Sequence, residues 1–196
     1  MLFRRNPRVA VWPMWCLVAL LVLPADRARA GPPPAPDPEL MHDLMRWAGK
    51  LTGLAPPPTL PTLTALPERE LARRVCPNEP RHCRTLVAVY DTDRQEVLYR
   101  DTLDLRDETD QSYIVHELVH YLQHRRDGDA LFSDCPRVMQ AETEAYAAQN
   151  RYLAHFKQWR RVGEILRFTH CQDMATAPLV TPGGPAALTS RSPQGR

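Results

Sequence analysis

Apolar residues recur at helical spacing soon after a proline-rich stretch near the start of the chain. Asp37 and Pro38 are typical N-cap and first-turn residues, and Gly53 suits the C-terminal end of a helix. The apolar positions between them are Leu40, Met41, Leu44, Met45, Trp47, Ala48 and Leu51. This pattern predicts a first helix that begins at Pro38 and ends near Gly53.

Three further stretches have helical spacing in the second half of the chain. The segment YIVHELVHYLQ (113–123) contains an apolar stripe and predicts a buried helix that ends around Asp127 and Gly128. A second long helix is expected to begin at Pro136 and to continue through AETEAYAAQNRYLAHFKQW (141–159). We expect a short last helix over RRVGEILRFTH (160–170).

Alternating apolar and polar residues predict strands between the first helix and the second. TLTAL (62–66) predicts an extended segment, and PERELARRV (67–75) predicts a short helix after it. TLVAVY (85–90) and EVLYR (96–100) flank the polar turn DTDRQ and predict a β-hairpin. This order of elements predicts an α+β domain in which helices pack on one face of a short antiparallel sheet.

The two ends of the chain have the composition of segments outside a folded core. Arginines precede the apolar run VWPMWCLVALLVL, and ARA follows it, so we predict a signal peptide over residues 1–30 with cleavage near Ala30. An uncleaved membrane anchor is disfavoured because the apolar run is short and has no stop-transfer pattern. We predict a flexible lead-in at 31–38, a catalytic domain at 39–172 and a disordered tail at 173–196.

The net charge of the predicted mature chain indicates which classes of binding partner the sequence favours. The whole chain has 25 Lys and Arg against 23 Asp and Glu, and the first thirty residues contain five Arg and one Asp. The mature chain therefore has 20 positive and 22 negative residues, a net charge of −2. Because no long basic run remains, the sequence predicts no nucleic-acid binding and no stable membrane insertion after signal cleavage. We expect a secreted or periplasmic protein.

Four cysteines remain in the predicted mature chain, and an even number in an exported domain favours two disulfides. Of the three possible connectivities we favour Cys76–Cys83, which closes the loop CPNEPRHC, together with Cys135–Cys171. A zinc site made of cysteines and His82 is the weaker alternative, because no C-x-x-C spacing is present.

The letters HELVH at 116–120 match the H-E-x-x-H pattern of helical zinc sites. Residues four apart lie on one face of a helix, so His116 and His120 are candidate ligands of one metal ion. Glu117 flanks the same point and is a candidate general base. The neighbours Ile114, Val115, Leu118, Val119 and Leu122 predict that this helix is buried beside the histidines.

A zinc site requires a third protein ligand, and two glutamates in AETEAY are candidates. Helical phase places Glu142 on the more apolar stripe of its helix and Glu144 on a more polar face, with Ala148, Arg151 and His155. A buried carboxylate requires a partner. We therefore favour Glu142 as the ligand and keep Glu144 as the alternative. The competing interpretation of Glu142 is a buried ion pair with an arginine.

With these residues the chain resembles the gluzincin group of zinc metallopeptidases, which have HExxH on one helix and a glutamate ligand on a later helix. The matching stretches are HELVH (116–120) and ETEAY (142–146), and the resemblance covers roughly residues 85–155. It implies a minimal zincin-like domain with one Zn²⁺, a short antiparallel sheet over the active-site helix, and a peptide or protein substrate. Because it combines HELVHYLQ, a cysteine-bearing loop and ETEAYAAQNRYL, the chain is similar to small exported bacterial proteins of unassigned function.

One position departs from the gluzincin pattern. These peptidases often have an acidic residue four positions after the ligand glutamate, where it orients a ligand histidine, and this chain has Tyr146 there. Tyr113, Tyr146 and His170 are equal candidates for stabilising an oxyanion. The expected function is zinc-dependent peptide hydrolysis. The alternatives are an exported zinc-bearing module without hydrolytic activity and a disulfide-stapled domain in which HELVH has no metal.

Overall fold

The structure is a computed structural model, and it describes residues 37–171. The predicted signal peptide, most of the proline-rich lead-in and the predicted C-terminal tail lie outside these residues and stay predictions. Within them, the protein is an α+β domain of four helices and a mixed three-stranded sheet, so the predicted fold class is confirmed. None of these helices combines the length and apolar character that crossing a bilayer requires.

The first helix, α1 (Pro38–Thr52), has the ends that its sequence predicts. The side chain of Asp37 accepts a hydrogen bond of 2.9 Å from the backbone N–H of Glu39, which satisfies one free donor of the first turn. Gly53 ends the helix with a φ of 78°, a left-handed conformation that glycine adopts without strain. The buried face of α1 consists of Met41, Leu44, Met45 and Ala48.

The sheet contains β1 (Thr62–Leu66), β2 (Ala88–Asp91) and β3 (Glu96–Arg100) in the order β1-β3-β2. The hairpin of β2 and β3 is antiparallel as predicted, although β2 begins three residues later than TLVAVY suggested. The prediction of a wholly antiparallel sheet was wrong, because β1 pairs with β3 in parallel.

The central position of β3 explains this topology. Val97, Leu98 and Tyr99 are consecutive and almost fully buried, so both faces of β3 are covered. A strand of this kind is most stable between two neighbours. The hairpin places β2 on one side of β3, so β1 pairs with the other edge of β3. β1 and β3 run in the same direction, and β2 runs opposite to both.

Helices cover both faces of the sheet, which corrects the prediction of helices on one face. One core cluster joins α1 and two later helices, α3 (Glu108–Asp127) and α4 (Cys135–His155), to the sheet face that bears Tyr90 and Val97. The short helix α2 (Glu68–Val75) covers the opposite face. Its Leu71 packs there with Leu66, Val89 and Leu98. Apolar side chains alternate to both faces, so a cover on one face alone would leave Leu98 in water.

Both predicted disulfides are present. Cys76–Cys83 closes the loop between α2 and β2, with a Cα–Cα distance of 6.1 Å. Cys135–Cys171 joins the start of α4 to the end of the described chain, with a Cα–Cα distance of 5.5 Å. A cysteine–His82 zinc site is therefore excluded, and His82 pairs with Glu79 instead. Two disulfides suggest an oxidising, extracytoplasmic location.

The segment after α4 differs from its prediction. The helix ends at His155 instead of continuing to Trp159, and the predicted helix over 160–170 is only a 3₁₀ helix at Glu164–Phe168. Gly163 has a φ of 80°, which interrupts a helix. The side chain of Asn150 binds both the backbone N–H and the carbonyl of Val162, at 3.0 and 2.9 Å. These hydrogen bonds hold Val162 against α4, and the helical spacing of the sequence does not predict them.

Candidate metal centre

Helix α3 holds HELVH in the middle of the domain. Its N-cap, Asp107, accepts hydrogen bonds from the backbone N–H groups of Thr109 and Asp110, at 2.9 and 3.1 Å. His116 and His120 are 7% and 6% exposed. The apolar neighbours on which the buried-helix prediction depends are at most 2% exposed: Ile114, Val115, Leu118, Val119 and Leu122. The prediction of a buried motif helix is confirmed.

Helix α4 lies antiparallel to α3, and polar contacts between buried residues set the register of the two helices. Near one end, Gln123 on α3 donates a hydrogen bond of 3.1 Å to the carbonyl of Ala141 on α4. Near the other end, Gln149 on α4 donates a hydrogen bond of 3.1 Å to Ser112 on α3. Between these two contacts, α4 brings Glu142 opposite the two histidines.

The side chains of His116, His120 and Glu142 form one group whose donor atoms all lie within 4.8 Å of one another. The Nε2 atoms of the two histidines are 3.1 Å apart. Oε1 of Glu142 lies 3.2 Å from Nε2 of His120, and Oε2 lies 3.4 Å from Nε2 of His116. Ligands at zinc bond lengths around a tetrahedral ion are separated by about 3.3 Å. The two imidazole nitrogens and the carboxylate are therefore close enough together to hold a single metal ion.

The two candidate glutamates of α4 have different surroundings. Glu144 lies outside the triad: its Oε2 accepts a hydrogen bond of 2.8 Å from Gln123 and lies 3.7 Å from Arg126. The ion pair with an arginine that was considered for Glu142 is thus made by Glu144. The predicted polar face around Glu144 also includes Ala148, which is fully buried. The structure brings Glu142, and not Glu144, to the histidines.

The charges of the triad depend on one another. Burial disfavours an ionised Glu142, but its hydrogen bonds to the two histidines outweigh burial and hold its pKa below the ordinary value. Burial likewise disfavours a charged His120, yet the hydrogen bond and charge of Glu142 raise the pKa of His120 to about 9. Glu142 and His120 therefore form an ion pair in which the imidazole is buried and the carboxylate is partly exposed.

Glu117 is buried beside the triad and belongs to a different contact. Its Oε2 accepts a hydrogen bond of 2.8 Å from the backbone N–H of Tyr90 in β2. Burial raises the pKa of Glu117, and the charges of His116 and His120 partly offset this. A carboxylate with a raised pKa next to a candidate metal site is suited to accepting a proton near neutral pH.

The Nδ1 atoms of His116 and His120, which point away from the triad, have different surroundings. Nδ1 of His120 lies 2.9 Å from Oε1 of Gln123, a fully buried side chain. Nδ1 of His116 is buried and has no hydrogen-bond partner within residues 37–171. The sequence analysis missed Gln123, although its position three residues after His120 places both on one helix face.

Of the three oxyanion candidates, Tyr146 is the one beside the triad. Its ring centroid lies 4.4 Å from that of His116. Burial, together with the charges of Glu142 and Glu117, raises the pKa of Tyr146 to about 12, so its hydroxyl stays protonated and is able to donate. Tyr113 is half-buried against the core and His170 is exposed.

The sequence of the chain is similar to a known protein family. The pattern of one family, described as "Domain of unknown function (DUF6647)", matches residues 33–172. The chain belongs to this family. No curated protein and no solved structure matches it. The likeness to zincins stays a prediction, and the DUF6647 match covers both HELVH and the glutamate-bearing helix.

The DUF6647 domain of this chain thus contains a group that is able to hold a metal ion. Two imidazole nitrogens and one carboxylate are donors that suit zinc and several other divalent transition metals. The donors face one another on two helices whose register is set by buried hydrogen bonds. This arrangement is what the chemistry of a three-ligand metal site requires.

Proposed function

We propose that this member of the DUF6647 family is an exported zinc peptidase. His116, His120 and Glu142 hold one Zn²⁺, and Glu117 is the general base. The observation that carries the proposal is the convergence of the three side chains: the Nε2 atoms of the histidines are 3.1 Å apart, and the two oxygens of Glu142 lie 3.2 and 3.4 Å from them. With three protein ligands, the site would have the ligand number of a catalytic zinc site.

Glu117 is placed to move a proton. When bound, zinc supplies a Lewis acid that polarises a peptide carbonyl and lowers the pKa of water. Oε2 of Glu117 accepts a hydrogen bond from the backbone N–H of Tyr90, which holds the carboxylate beside the triad. Glu117 accepts the proton of the attacking water at Oε1 and delivers it to the leaving amine.

The edge strand β2 offers a binding place for an extended peptide. The backbone N–H of Arg100 donates a hydrogen bond of 2.9 Å to the carbonyl of Val87. Since partners alternate along an antiparallel pair, the backbone groups of Ala88 and Tyr90 point away from β3. The N–H of Tyr90 donates to Glu117. In this proposal the other outward groups, the N–H and carbonyl of Ala88 and the carbonyl of Tyr90, pair with the substrate backbone. Peptide or protein substrates are therefore proposed.

Export agrees with this activity. The proposed route is secretion or transfer to the periplasm through the signal peptide at 1–30, with cleavage near Ala30. Two disulfides support it, because they persist in oxidising compartments.

Metal content of the purified mature protein tests the site. We expect close to one zinc per chain by mass spectrometry, and strong loss of zinc in His116→Ala and Glu142→Ala. His42→Ala and Glu70→Ala remove exposed residues of the same types and should keep the metal. A folded wild type without zinc, even after zinc addition and dialysis, would mean that HELVH is only part of a buried helix.

Turnover of a general peptide library then separates a peptidase from an exported zinc-bearing module. Hydrolysis that requires zinc and Glu117 supports the peptidase. Zinc binding without turnover on any peptide pool favours a non-hydrolytic binding domain, whose triad would serve structure or recognition.

A further inference from the structure

Gln123 is fully buried, and all its polar atoms are engaged at the edge of the triad. Its Nε2 lies 3.1 Å from the carbonyl oxygen of Ala141 and 2.8 Å from Oε2 of Glu144. Both partners are acceptors, so this end of the side chain must be the NH₂ group. The opposite end, Oε1, therefore faces Nδ1 of His120 as an acceptor, at 2.9 Å.

This orientation dictates the role of each nitrogen of His120. A carbonyl oxygen is only able to accept, so Nδ1 of His120 must carry hydrogen. Nε2 is then the nitrogen that is available to a metal, and it is the atom that faces Glu142 and His116. An outer hydrogen bond of this kind fixes both the tautomer and the ring orientation of a metal-binding histidine.

The contacts extend from Gln123, away from the triad, to the charged side chains of Glu144 and Arg126. Glu144 accepts from Gln123 and lies 3.7 Å from Nη2 of Arg126. The order is Arg126, Glu144, Gln123 and His120, from a partly exposed guanidinium to the buried imidazole. His116 has no such support, since its Nδ1 is unpartnered within the described residues.

We infer that Gln123, anchored by Glu144 and the Ala141 carbonyl, is the positioning residue for the metal-binding nitrogen of His120. Gln123 supports His120, whereas Tyr146, four residues after Glu142, lies against His116. The inference rests on the proposed metal site but not on peptide hydrolysis. It also gives Glu144 a function other than metal ligation.

The test compares two buried glutamines at the same helix interface. Gln123→Leu removes the acceptor of His120 while nearly conserving volume. Gln149→Leu removes an equally buried glutamine whose hydrogen bond to Ser112 does not touch the triad. Zinc affinity is measured by competition with a chelating dye, and cobalt absorption spectra report the ligand geometry. We expect roughly 10- to 100-fold weaker binding for Gln123→Leu and an altered cobalt spectrum. Gln149→Leu should keep the wild-type spectrum and change affinity only slightly.

A charge exchange separates positioning from packing. Gln123→Glu alone sets two carboxylates against each other at the 2.8 Å contact and should weaken zinc binding. Adding Glu144→Gln supplies an amide donor and should restore part of the affinity, because the Ala141 carbonyl still faces a carboxylate oxygen; a double-mutant cycle measures this coupling. Wild-type affinity in Gln123→Leu, or no rescue by the double exchange, overturns this inference alone. Absence of zinc from the wild type overturns the proposed function as well.

Discussion

The backbone N–H of Tyr90 donates a hydrogen bond of 2.8 Å to Oε2 of Glu117, although the two residues are 27 positions apart. This contact joins the edge strand β2 to the centre of α3 and fixes one oxygen of the proposed general base. The sheet therefore orients the carboxylate on which the proposed chemistry depends.

Glu117→Gln should abolish turnover and leave zinc bound. The glutamine carbonyl still accepts from Tyr90, but the amide does not take up a proton. Activity assays and metal analysis of the same preparation check both parts. Hydrolysis at the wild-type rate would contradict the role of Glu117.

The same variant should make the metal-free protein more stable near neutral pH. Burial raises the pKa of Glu117 above 4.5, so the folded state binds this proton more tightly than the unfolded state. The stabilising contribution is complete below the ordinary pKa and is lost as the pH rises through the raised value. Urea unfolding at pH 4 and pH 7, with chelator present, should show a difference that grows with pH. A difference that does not depend on pH would argue against a buried, shifted carboxyl.

Tyr146→Phe should reduce kcat by roughly 100-fold while zinc affinity stays unchanged. The phenylalanine ring keeps the contact with His116 but loses the hydroxyl, which is the proposed donor to a developing oxyanion. Steady-state kinetics with Tyr113→Phe as the control measure this effect. Equal effects of the two substitutions would remove Tyr146 from the mechanism.

Gly163→Ala should destabilise the protein more than Gly53→Ala. Both glycines have left-handed backbones, with φ of 80° and 78°. A Cβ at Gly163 would lie 2.7 Å from Cβ of Tyr146, whereas one at Gly53 would meet nothing within 4 Å. The shared strain costs about 1–2 kcal/mol, and overpacking at Gly163 adds about 1–3 kcal/mol. Chemical unfolding measures both, and a lower kcat only in Gly163→Ala would show that this glycine positions Tyr146.

The two disulfides should differ in their effect on stability and on the site. Cys135 and Cys171 are 36 positions apart, and Cys76 and Cys83 are seven apart. By loop-closure entropy, replacing the first pair with serine costs about 4 kcal/mol and replacing the second about 2 kcal/mol. The first pair also holds the segment that contains Gly163 beside Tyr146. Urea unfolding and kinetics of the two double variants should therefore show reduced kcat only when Cys135–Cys171 is removed.

Zinc should raise the unfolding temperature, and a chelator should reverse the increase. A ligand that binds only the folded state at 100 times its Kd adds about 2.7 kcal/mol to the free energy of unfolding. Thermal unfolding of wild type and His116→Ala, with and without zinc, measures this. Equal shifts in the two proteins would mean that zinc binds elsewhere.

The sequence alone determined those features that depend on residues close together in the chain. The N-cap at Asp37, the C-cap at Gly53, the buried α3 with its paired histidines and the hairpin all follow from spacing over a few residues. Cysteine spacing and the predicted signal peptide favoured, among three connectivities, the disulfide pairing that the structure has. Helical phase favoured Glu142 over Glu144, and Glu142 does face the histidines, but the two side chains are 31% and 28% exposed, so burial does not separate them.

Only the tertiary structure decided the features that join distant segments. The parallel pairing of β1 with β3 arises from the need to bury both faces of β3. The contact of Tyr90 with Glu117 depends on where the sheet meets α3, and the role of Gln123 depends on the register of α4. Gly163 interrupts the predicted last helix with its left-handed backbone and packs closely against Tyr146. Local spacing defines which side chains share a face, whereas the packing of whole elements decides which faces meet.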